Sequence, residues 1–89
     1  MTYQISDYTK ERAKELNIIV RPSTNINKKI DVFDKNFVKI ASIGSIKYKD
    51  YPQYLQENKE LADERRRLYH IRHSKDTGIN GYLAKYLLW

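Results

Sequence analysis

Residues 30 to 44, IDVFDKNFVKIASIG, carry the pattern that most restricts how this chain can fold. Ile30 and Val32, then Val38 and Ile40, alternate with polar neighbours, the period of two that turns one face of a strand toward a core. Asp34, Lys35 and Asn36 stand between the two runs and supply turn residues, and Gly44 ends the second run. A β-hairpin is therefore predicted. An isolated hairpin is marginal in water, so other segments must cover its apolar face.

The flanking segments provide candidates for that cover. Residues 6 to 17, SDYTKERAKELN, predict a short amphipathic helix, started by Ser6 or Asp7 and closed by Asn17 in a left-handed conformation. Its apolar stripe of Ile5, Tyr8, Ala13 and Leu16 is narrow, so it needs packing to persist. IIVRP at 18 to 22 is a β-branched run closed by Pro22, which suits an edge strand. Residues 23 to 29 read as a connecting loop. Residues 45 to 54 read as irregular, with Asp50 placed to cap the next helix and Pro52 near its first turn. A central helix is predicted from Pro52 to His73, a break at 74 to 78, and a terminal helix or turn over 80 to 89 that is apolar on most sides. No repeat, low-complexity tract or linker interrupts the chain. The expectation is one α+β domain over residues 1–89: a small antiparallel sheet with a β-hairpin, packed by one long central helix and short N- and C-terminal helices.

Length and composition fit that size of fold. Of 89 residues 40% are hydrophobic, enough for a modest core and too many for wholesale disorder. Eight of the eleven aromatic rings are tyrosine, which buries a ring while keeping a hydroxyl for a partner. The absence of cysteine excludes disulfides and thiolate metal sites. No apolar run approaches the roughly 20 residues of a membrane span, and MTYQISDYTKER lacks the basic and apolar regions of a secretory signal. A soluble intracellular protein without membrane contact is expected.

Charge points to the partner. Seventeen Lys and Arg against eleven Asp and Glu leave a formal charge of +6, which favours a polyanion such as nucleic acid. The densest stretch is ADERRRLYHIRHSKD at 62 to 76, with four arginines, two histidines and a lysine. On a helical wheel Leu61, Ala62, Leu68 and Tyr69 define the predicted apolar face, extended by Tyr54 and Leu55. Arg65 and Arg72 fall in its middle, one heptad apart. They either reach a structural carboxylate, with Asp31, Asp34 and Asp50 as candidates, or hold phosphate as a guanidinium pair. Arg67 lies opposite, where Asp63 and Glu64 can pair with it, and is expected to be a solvated charge.

Arg66, His70 and His73 line one flank, with Lys75 beyond, as a cationic rim suited to phosphates rather than bases. The groups at 66, 72 and 73 are expected to emerge side by side with their charge uncancelled. Tyr48, Tyr51 and Tyr54 precede the helix and, where exposed, could stack on unpaired bases. The candidate nucleic-acid-binding residues are thus Arg65, Arg66, Tyr69, Arg72, His73 and Lys75. Each also has a plainer reading as packing or as ordinary surface charge.

Catalysis finds less support. The three glycines, at 44, 78 and 81, build no phosphate loop, and no nucleophile elbow or Cys/His pair is present. His70, His73 and Asp76 could approach one another, but no third histidine or cysteine completes a tetrahedral set. No enzyme activity, metal or cofactor is expected. The terminal GYLAKYLLW has more apolar residues than one face of a short helix buries. It either fills the domain's own core or mediates homodimerisation or docking to a protein partner.

Several stretches together resemble a family of short uncharacterised proteins of large double-stranded DNA viruses of amoebae and algae. They are RPST (21–24), KKIDVFDK (28–35), KIASIG (39–44), YKDYPQY (48–54), ERRRLYHIRHSKD (64–76) and GYLAKYLLW (81–89). Where that family has glycine in the hairpin turn, this chain has Phe37. The resemblance implies a viral protein acting in the host cytoplasm or nucleus or in the virion, and brings no activity with it. The leading expectation is a small basic protein that binds nucleic acid non-specifically. The alternative is a structural or adaptor protein that meets an acidic virion protein.

Overall fold

The 30–44 hairpin forms in the computed structural model, which describes residues 3–76 and 78–89, but its second strand shows the opposite face to the one expected: Val38 and Ile40 are exposed, and Ala41 and Ile43 are buried beside Ile30 and Val32. The elements run α1 (Asp7–Leu16), β1 (Ile19–Pro22), β2 (Lys28–Phe33), β3 (Lys39–Ser45), α2 (Tyr51–Glu57), α3 (Lys59–Arg72) and α4 (Ile79–Leu88). The three strands form an antiparallel sheet in the order β1-β2-β3, with Val20 opposite Val32 and Ile30 opposite Ile43. β2 begins at Lys28, so the loop expected over 23–29 is two residues shorter. The fold is α+β, with α3 the longest helix.

Local chemistry accounts for most boundaries. The Ser6 hydroxyl accepts the Thr9 N–H at 3.2 Å to start α1, and Asn17 closes it at φ 63°. In the hairpin turn the Asp34 carboxylate accepts the N–H groups of Asn36 at 2.8 Å and Val38 at 3.0 Å. Phe37 sits there at φ 62°, a left-handed conformation that favours glycine, with the Arg21 guanidinium 5.7 Å from its ring centre.

The core lies on one face of the sheet. Ile30, Val32, Ala41 and Ile43 meet Leu83, Leu87 and Leu88 of α4 and Ala13 of α1. Each large aliphatic side chain buried there stabilises the fold by about 1.5–3 kcal/mol. Gly44, at φ 77°, is needed where α4 crosses β3, because a Cβ would lie 2.7 Å from the Leu88 side chain. The terminal segment thus folds onto its own domain. Of its apolar side chains, Ile79 and Tyr82 stay exposed.

Two expectations change. The helix run from Pro52 to His73 breaks at Asn58, whose backbone is extended (φ −167°, ψ 123°). Asn58 closes α2 with its N–H, and its side chain accepts the Leu61 N–H at 3.0 Å to open α3. The helix over the sheet is α4, joined by α1. No residue of α2 or α3 belongs to the buried aliphatic cluster. Thr77, within the expected 74–78 break, lies outside the described residues.

Candidate nucleic-acid interface

The α2–α3 pair is anchored to the body by charge and aromatic rings. Lys29 and Asp50 are 2% and 1% exposed and form a 3.1 Å ion pair between β2 and the residue that caps α2. Asp50 also accepts the Tyr3 hydroxyl and the Gln53 N–H, and Gln53 accepts from Lys29 at 2.9 Å. Burial lowers the Lys29 pKa, and the Asp50 charge works against that fall. Burial, then the bond to Asp50, raises the Tyr3 pKa.

A second buried carboxylate, Asp31, accepts the hydroxyls of Ser23 at 2.6 Å and Ser42 at 2.7 Å and the Thr24 N–H, with Lys39 at 3.5 Å. Burial alone would raise its pKa. The three hydrogen bonds and the Lys39 charge outweigh burial and bring it down to about 2. Sequence reasoning names Asp31 and Asp50 as candidate structural carboxylates, but for Arg65 and Arg72; their partners are instead Lys29 for Asp50 and Ser23, Ser42 and Lys39 for Asp31.

Ring contacts set the rotation of α3. Trp89 stacks on Tyr69 with centroids 4.3 Å apart and planes 6° from parallel, and His73 covers the other side of Tyr69 at 4.2 Å. The Arg66 guanidinium lies 4.8 Å from the centre of the Tyr51 ring, whose hydroxyl donates to Asp63 at 2.9 Å. The inward side of α3 is therefore Ala62, Arg66, Tyr69 and His73, a helical i, i+4, i+7, i+11 series. This is rotated by roughly 60° from the expected face. Leu61 and Leu68, which defined that face, are each 38% exposed.

The rotation relocates the candidate arginines and His73, while Tyr69 stays inward as expected. Arg65 and Arg72 are exposed rather than directed at a core, and neither pairs with Asp31, Asp34 or Asp50. The Arg65 guanidinium lies 5.8 Å from the centre of the Tyr54 ring. Arg66 turns inward over Tyr51, and His73 binds the Asp76 carboxylate at 2.7 Å. The expected row of 66, 72 and 73 is therefore not formed; Arg72 shares its flank with Arg65 instead. Both faces of Tyr69 are covered, so its ring serves docking. Burial first, then the Asp76 charge, raises its pKa. His70 reaches the Trp89 carbonyl at 3.4 Å, and Arg67 pairs with Glu64 at 2.6 Å, as its position suggested.

What remains free is a narrower cationic strip. Residues 65 to 75 contain four arginines and a lysine and no acid, whereas Glu57, Glu60, Asp63 and Glu64 precede them. This polarity also complements the dipole of α3. Glu57 pairs with Lys49, Asp63 with Lys59 and Glu64 with Arg67. Among the described residues, Arg65, Arg72 and Lys75 have no carboxylate partner. No group of three His, Cys, Asp or Glu there could hold a metal ion, and no helix is long and apolar enough to cross a membrane. No family model matches the chain, and no curated protein or solved structure is similar to it.

Proposed function

We propose that this protein binds nucleic acid through its phosphate backbone, without reading base sequence, and that it acts by binding rather than by catalysis. The observation that carries the reading is that Arg65 and Arg72 on α3, and Lys75 just beyond it, have no carboxylate partner among the described residues, while Asp63 and Glu64 are held by Lys59 and Arg67. Arg65 and Arg72 are seven residues apart, so they leave one side of α3 about 10 Å from each other. Such guanidiniums suit phosphate oxygens, and contacts of this kind position a strand without specifying it. In keeping with the resemblance, the setting proposed is the infected cell's cytoplasm or nucleus, or the virion.

The test is a salt titration of a labelled oligonucleotide by fluorescence anisotropy. Three phosphate contacts give a slope of about 2 to 3 in log Kd against log salt. Absence of binding at low salt removes the proposal. A second reading keeps the helix and changes the partner. Leu61, Leu68 and the 59%-exposed Ile71 lie beside the arginines, as the surface of a structural or adaptor protein that meets an acidic virion protein would require.

A further inference from the structure

We infer that the strand bound on this surface is single-stranded, with Tyr48 stacking on an unpaired base. The inference rests on the backbone-binding reading above and adds the kind of strand. Tyr48 is 73% exposed, in the turn between β3 and α2. Tyr3, Tyr8, Tyr51, Tyr54, Tyr69, Tyr82 and Tyr86 each have another ring or a cation against them. Among the described residues, Tyr48 alone of the tyrosines has neither. Its ring therefore serves no packing purpose that its neighbours' rings serve.

The turn that carries it is held in place. The Tyr48 N–H bonds the Ser45 carbonyl at 3.2 Å, the Ile46 N–H bonds the Asn27 carbonyl at 3.2 Å, and buried Asp50 comes two residues later. A ring on a fixed turn loses little freedom when a base settles on it.

Position links the ring to the cationic strip. Lys49, next to Tyr48, has its ammonium 5.7 Å from the centre of the Tyr54 ring, and Arg65 has its guanidinium 5.8 Å from the same centre. Lys49, Tyr54 and Arg65 thus form one cluster of a ring between two cations, with Tyr48 next in the chain to Lys49 and Arg72 two turns along α3 from Arg65. Lys49 is paired with Glu57, so phosphate contact here falls to Arg65 and Arg72, with Lys47 on the other side of Tyr48. A duplex keeps the faces of its bases inside the stack and offers such a ring nothing. An unpaired base offers a π-face, and stacking on aromatic side chains tolerates any base.

Anisotropy with an oligo-dT probe and a duplex of equal length, at one salt concentration, tests this. The expected result is tighter binding of the single strand, with Tyr48→Ala weakening it about fivefold or more. Tyr48→Trp should retain the affinity, and duplex binding and the salt slope should not change. An unaltered thermal unfolding curve for Tyr48→Ala shows that the comparison concerns folded protein. Equal affinity for the two probes, or equal weakening of both by Tyr48→Ala, overturns the single-strand inference and leaves backbone binding standing. Binding of neither probe overturns both.

Discussion

The sheet with α1 and α4 and the pair α2–α3 are built on different physics. In the first, aliphatic side chains of Ile30, Val32, Ile43, Leu83, Leu87 and Leu88 exclude water, and geometry comes from strand alternation and close packing. In the second, rings and charges hold the helices: Trp89 on Tyr69, Arg66 on Tyr51, Tyr51 bonded to Asp63. The aliphatic part holds its buried charges, Lys29 and Asp31, in hydrogen-bonded hubs. The aromatic part turns its inward charges onto rings and leaves Arg65, Arg72 and Lys75 outward. A small domain can therefore present a cationic helix without weakening its core, because the two jobs fall to different residues.

Asp50 joins the two parts, so its loss should damage both. Asp50→Ala strands the buried Lys29 ammonium and removes the cap of α2, at a cost of about 3–5 kcal/mol by urea denaturation. Replacing Lys29 with methionine in the same chain should recover much of that loss. A cost no larger than that of a surface substitution would mean that the pair does not connect the two parts.

Leu87→Ala opens a cavity in the aliphatic part alone and should cost about 2–5 kcal/mol by urea denaturation. Acid probes the same part differently. The folded pKa of Asp31, about 2, lies below its ordinary value of 3.8, so its bonds stabilise the fold fully above about pH 4. That contribution fades as the pH falls toward 2. Asp31→Asn should flatten the stability profile in this window, as read by thermal unfolding at stepped pH.

Trp89→Leu keeps an apolar side chain against the core and removes the stacking on Tyr69, so it should give the smallest and most local effect, roughly 1–2 kcal/mol. Hydrogen exchange should show α3 amides losing protection while β2 amides keep theirs. Equal loss in both elements would merge the two parts into one cooperative unit.

The same division explains what could be read from the sequence. Ser6, Asn17 and the Asp34–Asn36 turn are local devices whose partners lie a few residues away, and they appear where expected, whereas the irregular register after Phe33 exposes Val38 and Ile40 and buries Ala41 and Ile43. The rotation of α3 is set by Trp89, distant in sequence, so a wheel weighted by Leu61 and Leu68 points Arg65 and Arg72 inward. Asn58 looks like one polar residue within a helix, although an asparagine before Lys59 and Glu60 is also a fitting helix start. Lys29 and Asp31 alternate with Ile30 and Val32 and so read as the solvent side of β2. Their burial depends on Asp50 and on Ser23, Ser42 and Lys39, which only the fold brings near. The density of arginine was legible. Which guanidiniums are free was not, because that depends on the ring contacts.

The central claim is that unpaired arginines on one flank of α3, rather than net charge, form the binding surface. Arg65→Ala and Arg67→Ala remove the same charge from the same helix, one from a guanidinium free of carboxylates and one from a pair with Glu64. Measured as the salt dependence of oligonucleotide affinity, Arg65→Ala should lower the slope by about 0.7–0.9 and Arg67→Ala should leave it nearly unchanged. Equal slopes for the two variants would contradict the account.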